Sequence, residues 1–564
     1  MRRSKVLLLI SLAFLLTICL GAYETEINQA VRGNPFLSQF ISYSIKDPES
    51  DAVANKERKA FEHLYVTVLD KDPVNGYDFG HINQLSKEDN QGIDPILPIL
   101  FQTGSPQGPE AGDIEQSQAT ANATIEQRGN TVRNADLKSY KIRLAEGQGD
   151  WNNQYILNLN KHPYDDIRIR NKLSFDYMKM IPGITSLDTQ FVQLYVKDVT
   201  MGSNTFDSYG LFTHVQQPNK QFLKENGLDP DGYLYRAINF EFNQYPDILK
   251  DRNDPSYNKE LFETVLQIEG REYHEKLIEM LEDINNNSLK FNKVFDKYFD
   301  KDNFLTWLAV NFLMGNIDTS SQNFYLYSSR ISDKWYFLPW DYDGAWNSYW
   351  QWGSEGSRIH PTSAGISRYW AWPLVRRFFE NPENVNALHK KMDALAQIIT
   401  EEQTKKFLDE YYSTVRPIIL QPPDMKLLPE DVERFEQEFY SLVKVPAENM
   451  QKYYANLEKP MPIFIGGPWM NDDKMTFTWW KSYDLQQDEI FYDLQISKTP
   501  DFSTIVYEQI SLQETELTLD LLPAGVYYLR ITIRDSKGQE QVAFGSFIDN
   551  NGKYFYGVKQ FTLK

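Results

Sequence analysis

At 564 residues the chain exceeds one ordinary domain, so two or more domains and a sizeable core are expected. Apolar residues at 41% and aromatic residues at 14% exclude a disordered chain. A net charge of −20 speaks against nucleic acid and anionic membrane as partners.

In chain order, Arg2, Arg3 and Lys5 precede an apolar run from Val6 to Leu20. That run is too short to span a bilayer comfortably and has the pattern of a secretory signal over residues 1–22, cut near Gly21 or Ala22. Cys19 is the only cysteine. Leu16-Thr17-Ile18-Cys19 is similar to a lipoprotein box, although Ile18 is bulky where that cleavage needs a small residue, so a lipid anchor is the alternative to free secretion. Cleavage after Cys19 leaves a mature chain without thiols or disulfides. Residues 23–60 are polar and read as a leader, and His63–Leu69 is the first convincing strand. Gln102–Gln118 carries Gly104, Pro106, Gly108, Pro109 and Gly112 and reads as a loop.

Ala123–Arg128 enters the turn Arg128-Gly129-Asn130, and Lys138–Leu144 alternates like a strand. A glycine turn followed by a strand that begins with Lys suits phosphate binding. The backbone approaches the phosphates at the glycine, and an ammonium on the next strand neutralises their charge. Lys141 is the reserve candidate for that ammonium, and a solvated basic strand edge is the duller alternative. Asp165–Met180 places Ile167, Ile169, Leu173, Tyr177 and Met180 on a helical stripe. Thr189–Val196 and Gly210–Val215 read as strands, and Asp254–Leu289 as helical with mixed charge. Phe291–Gly315 reads as an apolar helix pair ending at Gly315.

Asn323–Tyr327 and Trp335–Trp340 are aromatic runs flanking Ser328–Lys334, which is turn-like. Folding this hairpin about Ile331/Ser332 sets Asn323 opposite Trp340, next to Asp341, with Asp318 in the loop just before. Asp-x-x-x-x-Asn, a hairpin and then Asp is the order used by protein kinases. There the first Asp takes the proton of the acceptor hydroxyl, while Asn and the later Asp hold Mg²⁺ on ATP. Tyr349–Trp372 is a Trp-rich loop containing the lone His360, suited either to a substrate groove or to packing. Leu374–Leu457 reads as helical throughout, broken at Pro417, Pro422 and Pro423. From Pro460 the composition changes, and strands over Met475–Trp480, Ile490–Ile496, Glu516–Leu519, Gly525–Arg534 and Gln541–Ile548 predict an all-β sandwich.

Asn316, Asp318, Asn323, Tyr325 and Pro339-Trp340-Asp341-Tyr342-Asp343 resemble the core of the CotH family of spore-coat protein kinases, Asn-x-Asp-x-x-x-x-Asn-x-Tyr and then Pro-Trp-Asp-Tyr-Asp. Upstream, Arg128-Gly129, Lys138-Ser139-Tyr140 and Arg170-Asn171-Lys172-Leu173-Ser174 extend the resemblance, which covers roughly residues 60–455. The resemblance implies an α+β fold: an atypical two-lobed kinase-like domain over residues 61–457. Residues 460–564 resemble an immunoglobulin or fibronectin type III-like sandwich with Trp479 and Tyr528 as core anchors. It also implies transfer of the ATP γ-phosphate to Ser or Thr hydroxyls of an extracytoplasmic protein, with Mg²⁺ or else Mn²⁺. Asp318 would then be the base and Asn323, Asp341 and Asp343 the metal ligands. Lys138, Arg128, Gly129 and Trp340 would bind the nucleotide, and Arg170 and Asn171 would support that lobe. Two positions depart from the family pattern: Gln216 stands where Gly-x-Tyr-x-x-x-Glu has its acid, and Arg236 where Leu-Tyr-Lys has its lysine. A pseudokinase acting as a surface binding protein is therefore an alternative reading. So is a metal-dependent nucleotidyl or glycosyl transferase using the same carboxylates.

Overall fold

A computed structural model describes residues 61–86, 94–110, 120–348, 359–428 and 431–564. The signal segment, the leader, Cys19, Trp350 and Trp352 lie outside the described residues. The chain divides into two compact units, one of residues 1–59 with Pro218–Pro230 and one of Ala60–Gln217 with Asp231–Lys564. Of the first, the described part carries the short helix Lys220–Glu225, capped by the Asn219 side chain.

Alternation builds its first layer. Strands β1 (Phe61–Val68), β2 (Leu97–Ser105), β3 (Ala123–Arg128), β4 (Ser139–Leu144), β5 (Ile156–Asn160), β6 (Thr189–Asp198) and β7 (Asp207–Gln216) pair in the order β1-β6-β7-β5-β4-β3-β2. The β1–β2 ladder then closes them into a seven-stranded barrel. Ile125, Tyr140, Ile142, Leu157 and Leu159 point into a core with Leu64, Val66, Leu97 and Val192. Period two then forces Glu126 and Arg128 of β3, and Lys141 and Arg143 of β4, onto the opposite face. The loop expected over Gln102–Gln118 is corrected as far as Ser105, because β2 runs through Gly104. Tyr65 and the backbone of Gly108 and Pro109 approach Gly104 so closely that a Cβ would not fit.

Between the barrel and helix α1 (Arg170–Met180) the chain departs from a simple helix. The helix expected from Asp165 starts at Arg170 instead, since Arg168 holds a left-handed φ of 62°. The Asp165 carboxylate meanwhile accepts from the amides of Ile167 and Arg170, at 3.2 and 3.1 Å. Asp165 also pairs with the buried Arg170 guanidinium, which reaches Glu438 at 2.9 Å.

A second antiparallel sheet holds β9 (Leu266–Ile268), β8 (Tyr233–Ala237), β10 (Phe324–Ser328) and β11 (Trp335–Pro339), in that order. The stretch expected to be helical from Asp254 to Leu289 thus contains a strand; its main helix is α2 (Glu275–Asn285). The expected helix pair is α3 (Phe291–Tyr298) and α4 (Lys301–Leu313), the second fully buried from Asn303 onward. Helices α5 (Pro373–Phe379), α6 (Pro382–Ala396), α7 (Glu401–Ile419), α8 (Val432–Ser441) and α9 (Val445–Leu457) complete the helical layer. Trp346, Trp370 and Trp372 are fully buried, with the Trp372 indole N–H donating to the Ser320 carbonyl at 2.7 Å. The described part of the Trp-rich loop is therefore packing.

The C-terminal region is all β. Strands Ile465–Asn471, Lys474–Trp479 and Glu516–Asp520 form one sheet, and Ile505–Leu512, Ile490–Ser497, Gly525–Asp535 and Glu540–Val542 with Val558–Leu563 form another. Both sheets contribute to one core. Trp479 is buried in it as expected, whereas Tyr527 rather than Tyr528 is the second anchor: alternation along Gly525–Asp535 turns Tyr528 outward against Phe547. This region is fastened to the helical layer at separate points. Tyr483 donates to the Glu380 carbonyl at 3.0 Å, Ser482 to Met461 at 2.5 Å, and His360 bonds the Gly545 carbonyl at 3.0 Å.

The barrel is tied to the helices by a buried ion pair. Lys161 Nζ lies 2.7 Å from Asp424, with both side chains all but inaccessible to solvent. Burial lowers the Lys161 ammonium to about 8 against the pull of Asp424. Asp424 also accepts from the Leu211 amide at 2.7 Å. Gly210 makes this possible: its φ is +77°, and a Cβ there would sit 1.7 Å from Asp424 Oδ2. Breaking a buried pair strands a charge and costs about 3–5 kcal/mol. Gly210→Ala is accordingly expected to lower unfolding stability by about 3 kcal/mol or more, measured by urea denaturation. A variant as stable as the parent would mean that Asp424 moves aside at no cost.

Candidate functional site

Helix α4 is capped by Asp300, whose side chain accepts from the Asn303 amide, and runs through buried apolar residues to Leu313. The chain then turns at Gly315, and buried Asn316 accepts the Asp318 amide on its side chain at 3.1 Å. Asp318 is thus presented at a fixed orientation. Its two carboxylate oxygens accept from the Gln322 and Asn323 side-chain amides, at 2.9 and 2.8 Å. The β10–β11 ladder pairs Phe324 with Pro339 and Ser328 with Trp335, the register of a turn about Ile331/Ser332. Extending it by one residue sets Asn323 opposite Trp340.

Both ends of this hairpin are strained in the same way. Asn323 has φ 60° and Asp341 φ 56°, left-handed values that non-glycine residues adopt at a cost, with Asn and Asp the most tolerant. Asp341 opens the short turn Tyr342–Gly344. That turn is held from behind by Phe175 against the Tyr342 ring and by Ser174, which accepts the Trp346 indole N–H at 3.0 Å. Helix α1 therefore positions the acidic turn.

The electrostatics are one-sided. Burial, then the nearby Asp343 and Asp318 carboxylates, push the Asp341 carboxyl up to about 7, although His162 and Arg128 pull the other way. Burial would also raise Asp343, but a hydrogen bond from His162, at 3.2 Å, and the Gly344 amide carry it below its usual range. Arg128 stands with its guanidinium 5.9 Å from the Trp340 ring. Burial and Arg236 lower it to about 10 while Asp341 and Asp343 oppose them. Asn323, Asp341 and Asp343 offer oxygen donors to a hard divalent cation, and the raised Asp341 is the sign that positive charge is short there. Asp318, Asp341 and Asp343 are not so close that one oxygen of each lies within 4.8 Å of the others. Mg²⁺ takes one or two carboxylates and completes its shell with phosphate and water, so it does not require all three carboxylates at that range.

The remaining expected residues divide. Lys141 lies 3.6 Å from Glu126, on the barrel face shared with Arg128, and both Arg128 and Glu269 act on its charge. Lys138 is directed elsewhere: its ammonium donates to the carbonyls of Leu85 and Arg133, at 3.2 and 2.6 Å. Gly129 takes φ 85° in the turn after β3, packed on Val132, with its carbonyl accepting from Arg133 at 2.9 Å. Gln216 exchanges hydrogen bonds with the Asp188 backbone, while Arg170 and the fully buried Asn171 belong to α1 behind the acidic turn. His162 and Glu126 were not singled out in the sequence. His162 follows β5 with no periodic pattern to mark it, whereas Glu126 could have been found from its place two residues before Arg128 on an alternating strand.

The model of the family described as CotH kinase protein matches residues 125–453, more than half of the chain. The chain belongs to this family. It is similar to the inner spore coat protein H of Bacillus subtilis (strain 168), 25% identical over 329 residues that make up 58% of this chain and 84% of that protein. A twitchin kinase region from C. elegans aligns with 17% of this chain and 20% of its own, at 18% identity and a TM-score of 0.12, too weak a likeness to carry any argument.

Because protonation of Asp341 competes with a cation, divalent affinity should fall as pH drops through about 7. Calorimetric titration with Mg²⁺ is expected to give about tenfold weaker binding one unit below that value than one unit above it. Equal affinity on both sides would mean that Asp341 is already ionised.

Proposed function

We propose that this chain is a protein kinase of the extracytoplasmic space that transfers the γ-phosphate of ATP to a Ser or Thr hydroxyl of another protein. The observation that supports it most is the gathering of Asp318, Asn323 and the Asp341–Asp343 turn at the open end of one hairpin, facing Arg128. In this reading the domain over residues 61–457 works as two lobes, the barrel above the nucleotide and the small sheet with its helices below it. Asn323, Asp341 and Asp343 would hold Mg²⁺ or Mn²⁺, whose chemistry is to neutralise charge on the phosphates.

Asp318 takes the proton of the acceptor hydroxyl. The Asn323 and Gln322 amides engage its two oxygens and hold it aimed. Arg128 and Lys141 face the phosphates from the barrel, in place of Lys138, whose ammonium holds the turn at Arg133. Glu126 beside Lys141 supplies the lysine–carboxylate pair that Gln216 cannot. Trp340 backs Arg128 with its ring. Most of the rate gain then comes from positioning and charge neutralisation. The curated relative is named as a spore coat protein, which favours a coat or surface location. No helix among the described residues is long and apolar enough to cross a membrane.

The test is incubation of the mature protein with labelled ATP, Mg²⁺ or Mn²⁺ and secreted-protein extracts, followed by intact-mass analysis of the acceptor. An added phosphate supports the reading, an added AMP indicates nucleotidyl transfer, and no transfer indicates a binding protein. Asp318→Ala is expected to keep Mg-ATP affinity and lose transfer, and Asp341→Ala to lose both. Arg128→Ala should weaken ATP binding by about tenfold or more, as expected for a charge-assisted phosphate contact. Lys138→Ala should leave ATP affinity within about twofold of the parent. Fluorescence titration with an ATP analogue separates these outcomes, and a larger loss in Lys138→Ala than in Arg128→Ala would return the nucleotide role to Lys138.

A further inference from the structure

In the C-terminal β region, two aspartates are buried with work left undone. Asp484 is 3% exposed and Asp535 1%. In each, one oxygen organises a turn: Asp484 Oδ1 accepts from the amides of Gln486 and Asp488, at 2.8 and 3.0 Å, and Asp535 Oδ1 from those of Lys537 and Gln539, at 2.9 and 2.8 Å. The other oxygen of each, Oδ2, is buried with no hydrogen-bond partner. Asp488, half-buried, adds a third carboxylate, and one oxygen from each of the three lies within 4.8 Å of those of the others. A neighbouring ammonium, Lys537, is 2.8 Å from Asp488 and mostly exposed at the rim. A bare carboxylate oxygen sealed from water costs several kcal/mol unless something pairs with it.

We propose that Asp484, Asp488 and Asp535 form a calcium site in the C-terminal β region. The donor set is all oxygen, which suits a hard cation and not zinc or copper. Oxygens that all lie within 4.8 Å of one another can reach one calcium ion at about 2.4 Å each. Magnesium needs a smaller, near-ideal octahedron and gives up its water reluctantly, so carboxylates already fixed by the amides of two turns favour calcium. Burial raises the Asp484 carboxyl, and Asp488 and Asp535 raise it further, the same shortage of positive charge seen in the geometry.

The location gives the ion a task. The 484–488 turn follows Tyr483, whose carbonyl accepts from the Met461 amide at 2.8 Å and whose hydroxyl donates to the Glu380 carbonyl. Calcium would stiffen the seam by which the β region is fastened to helix α5 and the segment after α9.

The experiment uses the full chain carrying Asp341→Asn, so that binding at the hairpin does not contribute, stripped with EDTA and titrated calorimetrically with Ca²⁺ and separately with Mg²⁺ near neutral pH. One equivalent of Ca²⁺ is expected, bound about tenfold or more tightly than Mg²⁺, with a melting temperature several degrees higher than in EDTA. Asp535→Asn in the same background should abolish binding while retaining the oxygen that organises its turn. Asp488→Asn, on the more exposed residue, should weaken binding about tenfold and decides the matter if Asp535→Asn fails to fold. Absence of heat and of any melting shift at millimolar Ca²⁺ overturns the proposal, and so does unchanged affinity in Asp488→Asn. Equal affinity for the two ions overturns the assignment to calcium. A melting temperature that responds to pH but to neither ion shows a proton shared between Asp484 and Asp535 instead.

Discussion

Like charges do not gather unless something compels them. At the hairpin three carboxylates are brought together by backbone that is itself strained, and the Asp341 carboxyl pays with a raised affinity for protons. The compulsion is distributed. Helix α4 and Asn316 fix Asp318, the β10–β11 register fixes Asn323, and α1 with Tyr342 and Trp346 fixes the acidic turn. Each support is buried and closely packed, so the repulsion cannot be relieved by spreading apart. What remains is to accept positive charge from outside, which is the behaviour expected of a site for a cation and polyphosphate.

The barrel answers this with its outward face. Because side chains alternate across a strand, burying Ile125 and Ile142 puts Glu126, Arg128 and Lys141 on the side away from the core. The closed β1–β2 ladder then keeps that face from fraying. Two buried charge clusters pin the helical layer, one of them to the barrel. Lys161 with Asp424 links β5 to the segment after α7, and Arg170 with Asp165 and Glu438 links α1 to α8. Such pairs add little stability over well-packed apolar residues, but they tolerate no partial arrangement.

The hairpin was readable in the sequence because its evidence is local: two aromatic runs, a polar turn and symmetric offsets determine the register without reference to the rest of the chain. The helix pair ending at Gly315 was readable for the same reason, from apolar content and a terminal glycine. Lys138 was singled out by its place at the head of a strand. Which way its side chain turns depends on the Arg133 carbonyl, five residues back in an irregular turn, and on Leu85, more than fifty residues away, and neither leaves a periodic pattern. The β8 and β9 strands were missed because both are short and half-buried among residues that also suit helices. His162 reaches Asp343 across 181 positions, and that contact exists only once the barrel is set against the hairpin. Tyr527 and Tyr528 are neighbours of the same residue type, so the choice between them rested on the phase of one strand, which its flanking turns do not fix.

The bonds from Tyr483, Ser482 and His360 have a consequence for reach. A module on a flexible tether samples a volume and holds its cargo at an effective concentration set by chain statistics. Bonded at several places, the C-terminal β region is instead held as a fixed arm, its surface kept at one distance and one angle from the helices it is fastened to. Under the proposed transfer, an acceptor that also touched this region would be selected by length, its hydroxyl having to lie at the one span the arm allows.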